Sequence, residues 1–140
     1  MTRVKVSLAR LKEGVGYRPD FSRGTFYIDR TTGDVEYLND PDADVEREKG
    51  RDLMAIEPVT ETEELSWMAE FAEMKRIAGR TEEWRQLVSA LNGSNPVRQF
   101  NAVLALFPGM REGWGEERER KLEVAALRWL DSVGLGFEAE

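Results

Sequence analysis

The sequence contains no histidine and no cysteine. Without cysteine there is no disulfide, no thiol nucleophile and no thiolate to hold a metal. Without histidine the commonest general base and the commonest nitrogen ligand are gone as well. Serine and cysteine triads, zinc hydrolase centres and redox dithiols are therefore excluded. There is no Gly-rich loop ending in Lys-Ser or Lys-Thr, and no strand followed by Gly-x-Gly-x-x-Gly, so the usual phosphate and dinucleotide cradles are missing. No apolar run approaches the roughly 20 residues of a membrane span, and Met1 to Val6 lack the apolar core of a secretory signal. These absences lead to the expectation of a cytoplasmic protein with no membrane partner, no cofactor and no metal.

Carboxylate chemistry survives, because Asp and Glu can act as acid, base or magnesium ligand. Nothing in their spacing singles out a catalytic pair, so no catalytic residue is assigned. The stretch Asp40-Pro41-Asp42-Ala43-Asp44 looks like the first half of a calcium loop. Such a loop needs Gly at its sixth position and a bidentate Glu at its twelfth. Here those positions are Val45 and Arg51, so a solvated acidic loop over about residues 39–52 is the simpler reading, with an acidic docking surface as the alternative.

Charge is distributed unevenly along the chain. The net charge is -7. Residues 1–30 nevertheless carry seven basic and three acidic side chains, whereas residues 34–64 carry twelve acidic and three basic. An overall negative chain repels nucleic-acid phosphate unless an arginine-lined face outweighs the field. Nucleic acid is thus a disfavoured partner, and another protein the favoured one. Within the chain, the basic start is expected to lie over the acidic stretch.

The 140 residues suit one domain with its own core. Ser7 as N-cap and Gly14 past the end frame a short helix over about 8–13, with a lead-in strand from Val4. Thr25-Phe26-Tyr27-Ile28 and Val35-Glu36-Tyr37-Leu38 are β-rich runs joined by a turn in which Gly33 supplies the left-handed residue, which predicts a hairpin. A third short strand is expected at Leu53 to Ile56. Thr60 with Glu63 predicts a capped helix over about 61–78, apolar around most of its circumference. Trp84, Leu87, Val88 and Leu91 form a stripe on a helix from Thr81. Pro96 opens the next helix, and a last helix over about 110–133 ends at Gly134. The expected architecture is α+β: a β-hairpin packed on four to five helices.

Trp67, Trp84 and Trp129 fall on apolar faces and read as core. Trp114, between Gly113 and Gly115, either stands half exposed or seats the last helix on the core; the second reading is preferred. Arg85, Arg98 and Arg128 fall near helix faces. With Trp114 they are the candidate ligand or partner contacts.

The hairpin from Tyr27-Ile28-Asp29-Arg30 through Thr32-Gly33-Asp34-Val35 resembles a bacterial family of small proteins designated uncharacterised protein family 0158. So do Ala90-Leu91 leading through Gly93 to Arg98-Gln99-Phe100, and Trp114 followed by Ala125-Ala126, Trp129-Leu130 and Gly134-Leu135. In order, these pieces span about residues 25–137. Family members usually carry an aromatic and a more basic run around the segment that here reads Arg98-Gln99-Phe100 between Val97 and Asn101. The resemblance implies a small cytoplasmic bacterial protein and brings no activity with it. The leading expectation is a non-catalytic interaction or regulatory module. The alternatives are an arginine-mediated nucleic-acid or nucleotide binder and a carboxylate-dependent hydrolase.

Overall fold

A computed structural model describes residues 4–17, 24–134 and the backbone of 137–139. Arg3, Arg18 and Arg23 of the basic opening segment, and Leu135, lie outside the described residues. The order of elements is β1 (Val4–Val6), α1 (Leu8–Val15), β2 (Gly24–Asp29), β3 (Val35–Asn39), α2 (Asp40–Glu48), β4 (Leu53–Ala55), α3 (Glu61–Ile77), α4 (Thr81–Leu91), α5 (Pro96–Leu104), α6 (Met110–Val133) and β5 (Phe137–Ala139). The fold is α+β, as expected. Its contacts divide into two compact units, Met1–Val59 with Leu122–Glu140, and Thr60–Lys121.

The first unit is built on the hairpin. β2 pairs antiparallel with β3, Phe26 opposite Tyr37 and Ile28 opposite Val35, and on its other edge with β4, Ile28 opposite Met54. Alternation along the strands sends Ile28 and Val35 to one face and Tyr27 and Leu53 to the other. Helix α1 covers the first face with Leu11 and Val15. Gly14 lies so close that a Cβ there would stand 3.0 Å from the Ile56 side chain. Helix α2 covers the second face, where Ala43 packs with Tyr27, Leu53 and Leu38. A hairpin is marginal alone; here a third strand and a helix on each face complete it.

The turn needs glycine twice over. Gly33 has φ +82, and a Cβ on it would fall 2.1 Å from the Lys5 carbonyl oxygen of β1. β1 itself pairs in parallel with β5, Val4 opposite Phe137, a pairing the sequence reading did not contain.

Two expectations need correction here. The acidic loop placed over about 39–52 is helical from Asp40 to Glu48. The Asn39 side chain accepts the Asp42 N–H at 2.8 Å, Pro41 occupies the first turn, and Asp40 and Asp42 stand where the helix dipole favours negative charge. Clustered acid at a helix start is stabilising, which a loop reading overlooks. Likewise Gly14 does not end α1; the helix continues to Val15 and Gly16 closes it, because Gly14 serves the close contact with Ile56.

The second unit holds α3, α4, α5 and the start of α6. Thr60 caps α3 by accepting the Glu63 N–H at 3.1 Å. The core centres on Phe71, Phe100 and Trp114, whose ring centroids lie 5.2 to 6.3 Å apart in edge-to-face geometry, the arrangement the ring quadrupoles favour. Trp114 is 5% exposed, so it seats the helix start, as preferred above. Buried Glu64 accepts from Arg118 at 2.7 Å, and buried Glu83 is paired with Arg80.

The apolar faces are narrower than the sequence implies. On α3, Ala69 and Met74 are exposed. On α4, the buried residues are Glu83, Leu87 and Ala90, with Trp84 only half-buried. Because α4 packs on both α3 and α5, its buried arc lies between two neighbours rather than along the single apolar stripe. Trp129 is also half-buried, while Ala126 and Leu130 on the same helix are buried.

Candidate functional site

Helices α4 and α5 are joined through Asn92-Gly93-Ser94-Asn95 and pack together. Between them lies an open groove of about 630 Å³, lined by Gln86, Ser89, Ala90, Gly93, Gln99, Ala102 and Val103. The first four recur at i, i+3, i+4 and i+7, one face along α4 and its end. Gln99, Ala102 and Val103 repeat the spacing on α5. Absence of a side chain at Gly93 makes room for the Gln99 amide: a Cβ on Gly93 would lie 1.8 Å from Gln99 Oε1.

The lining is uncharged but rich in hydrogen-bonding capacity. Gln86 donates its Nε2 to Glu82 Oε1 at 3.0 Å. Among the described residues, the Gln99 amide and the Ser89 hydroxyl make no hydrogen bond. Ala90 and Ala102 keep the floor low, while the Gln99 side chain lies over Gly93.

The candidate contacts are brought together only in part. Arg85 is exposed on α4 and pairs with Glu82 at 3.4 Å. Arg98 is exposed on α5; it precedes Gln99 and stands one turn before Ala102, which places it on the rim of the groove. Arg128 is exposed on α6 but belongs to the other unit. Trp114 is inside the core and offers no surface. Sequence reading missed Gln86, Ser89, Gly93 and Gln99 as a set. The signal available was their helical spacing on the side away from Leu87, which an apolar-stripe reading passes over.

A second charged assembly lies in the first unit. Arg51 donates from Nε to Asp29 Oδ2 at 3.1 Å and from Nη1 to Glu36 Oε2 at 2.6 Å, with Glu46 at 3.5 Å. Burial pushes the Asp29 carboxyl upward, but the Thr31 N–H, the Arg51 guanidinium and the Thr32 N–H together hold it below the ordinary carboxylate range. The hydrogen bond to Glu36 contributes most to raising Arg51, and burial opposes it. These groups satisfy one another and link β2, β3 and α2. Within the acidic stretch Arg51 pairs with Glu36 and Glu46 and Arg47 with Asp44; from the basic opening segment, Arg30 pairs with Asp52.

Among the described residues no group of three or more acidic side chains is placed to hold a metal ion, and no helix is long and apolar enough to cross a membrane. No protein-family model matches the chain, and no curated protein or solved structure matches it either.

Proposed function

We propose that this protein is a non-catalytic interaction module that docks a partner protein in the groove between α4 and α5. The observation that carries the reading is the groove's lining: exposed amide and hydroxyl groups, with no protein partner at Gln99 and Ser89 among the described residues, over a floor of small residues. Hydrogen-bonding groups without convergent acids or bases suit holding a chain rather than transforming a substrate. Membership of the bacterial family resembled above is part of the same proposal; it fits a small cytoplasmic protein and adds no activity.

The test is site-specific photo-crosslinking. A photoreactive phenylalanine in place of Ser89 is expected to give a discrete adduct with one protein from the native cytoplasm. The same group in place of Ser132, exposed on α6, is expected not to give it. Gly93→Leu, which fills the groove, is expected to abolish the Ser89 adduct. Absence of a discrete adduct, or identical adducts from both positions, would overturn the reading.

A further inference from the structure

Charge along the second unit follows a pattern that bears on what the groove accepts. From Trp84 to Arg111 the sequence has no Asp or Glu at all, although the chain holds 27 of them. The acid-free stretch covers every residue that lines the groove and contains Arg85, Arg98 and Arg111. On the α4 rim, Arg85 is spent on Glu82. On the α5 rim, Arg98 forms no side-chain hydrogen bond or ion pair among the described residues. The groove is therefore a channel with an uncharged floor, with the Arg85–Glu82 pair at its α4 end and Arg98 on its α5 side.

We infer that the occupant is an extended, acidic peptide segment of the partner, an inference that rests on the interaction reading above. Gln86, Ser89 and Gln99 can satisfy main-chain N–H and C=O groups, and only an extended segment has those groups free; a helix has already paired them internally. The small side chains of Ala90 and Ala102 admit a backbone beside the Gln99 amide that lies over Gly93. An Asp or Glu side chain of the segment then pairs with Arg98 on the rim, where complementary charge selects the partner and raises the association rate.

Two other anionic occupants fit less well. A nucleic acid needs several phosphate contacts, and this rim has one unspent arginine beside a neutral floor, in a chain of net charge -7. A second copy of this protein would have to offer its own acidic stretch, whose backbone is already engaged in β3, α2 and β4.

The experiment is a titration of isotopically labelled protein, followed by nitrogen–proton correlation spectra. The probes are three pools of short synthetic peptides, acidic, neutral and basic, with a single-stranded oligothymidylate as the fourth. The acidic pool is expected to shift the Gln86 and Gln99 side-chain amides and the Gly93 N–H, and to weaken as salt is raised. Arg98→Glu, an exposed change that leaves the core intact, is expected to weaken that binding at least about tenfold, and Arg98→Lys to retain most of it. Equal shifts from the neutral or basic pool would overturn the acidic assignment while leaving the groove as a docking site. Stronger response to the oligothymidylate would overturn it in favour of nucleic acid. No shift at the groove from any probe at millimolar concentration would overturn this inference and the interaction reading together.

Discussion

The Arg51 guanidinium reaches the buried Asp29 carboxylate across 22 residues of sequence, with Nε 3.1 Å from Oδ2. The carboxylate is 3% exposed as a residue and also accepts the Thr31 and Thr32 N–H groups of the hairpin turn at 2.9 and 3.3 Å. Removing the cation leaves a buried anion with only those two bonds. Arg51→Ala is expected to cost about 2–3 kcal/mol, below the usual 3–5 for breaking a fully buried pair because Arg51 is partly exposed. Chemical denaturation measures it; a loss under about 1 kcal/mol would mean that solvent replaces the guanidinium freely.

The same carboxylate sets a pH dependence of definite sign. Its pKa is lower in the folded protein than the ordinary aspartate value, so the unfolded chain binds the proton more readily. The stability it contributes is complete above about pH 4, the unfolded value, and is lost as pH falls through the folded pKa. Melting curves from neutral pH downward should therefore show a loss of stability that is reduced in Asp29→Asn. An unchanged acid limb in that variant would remove Asp29 as its source.

Trp114 and Trp129 should separate sharply. Trp114→Ala opens the junction of Phe71 and Phe100 and is expected to cost about 3–5 kcal/mol. Trp129 is half-buried, and its truncation should cost about 1–2 kcal/mol, in proportion to the smaller area withdrawn from water. Equal losses would mean that Trp129 carries as much of a core as Trp114.

Gly33→Ala tests the turn. An L side chain at φ +82 is strained by about 1–2 kcal/mol, and its Cβ would also meet the Lys5 carbonyl. The expected total loss exceeds about 2 kcal/mol, with weakened amide protection in β1. A variant as stable as the parent would show that the turn relaxes without cost.

DNA, duplex or single-stranded, is expected to show no measurable binding near physiological salt, given the net charge of -7. Micromolar affinity that falls steeply with salt and disappears in Arg98→Ala would reverse the choice of partner.

Wherever the deciding information sits within about four residues, the sequence alone determined the outcome. The hairpin follows from two β-rich runs around Gly33, whose left-handed conformation only glycine adopts without strain. Ser7, Thr60, Pro96 and Gly134 mark helix ends because caps are local hydrogen bonds and local dihedral preferences. Burial was decided elsewhere. Asp40 to Glu48 has a local cap in Asn39, but it is fixed as a packed helix only where β2 and β4 bring Tyr27 and Leu53 over Ala43; read without that packing, the stretch is only acidic. Asp29, Glu64 and Glu83 are interior charges solely because Arg51, Arg118 and Arg80 meet them there. β1 finds β5 from the opposite end of the chain. The groove likewise belongs to no segment: its amides are ordinary surface residues of α4 and of α5, and they become a lined channel only when packing sets the two helices side by side.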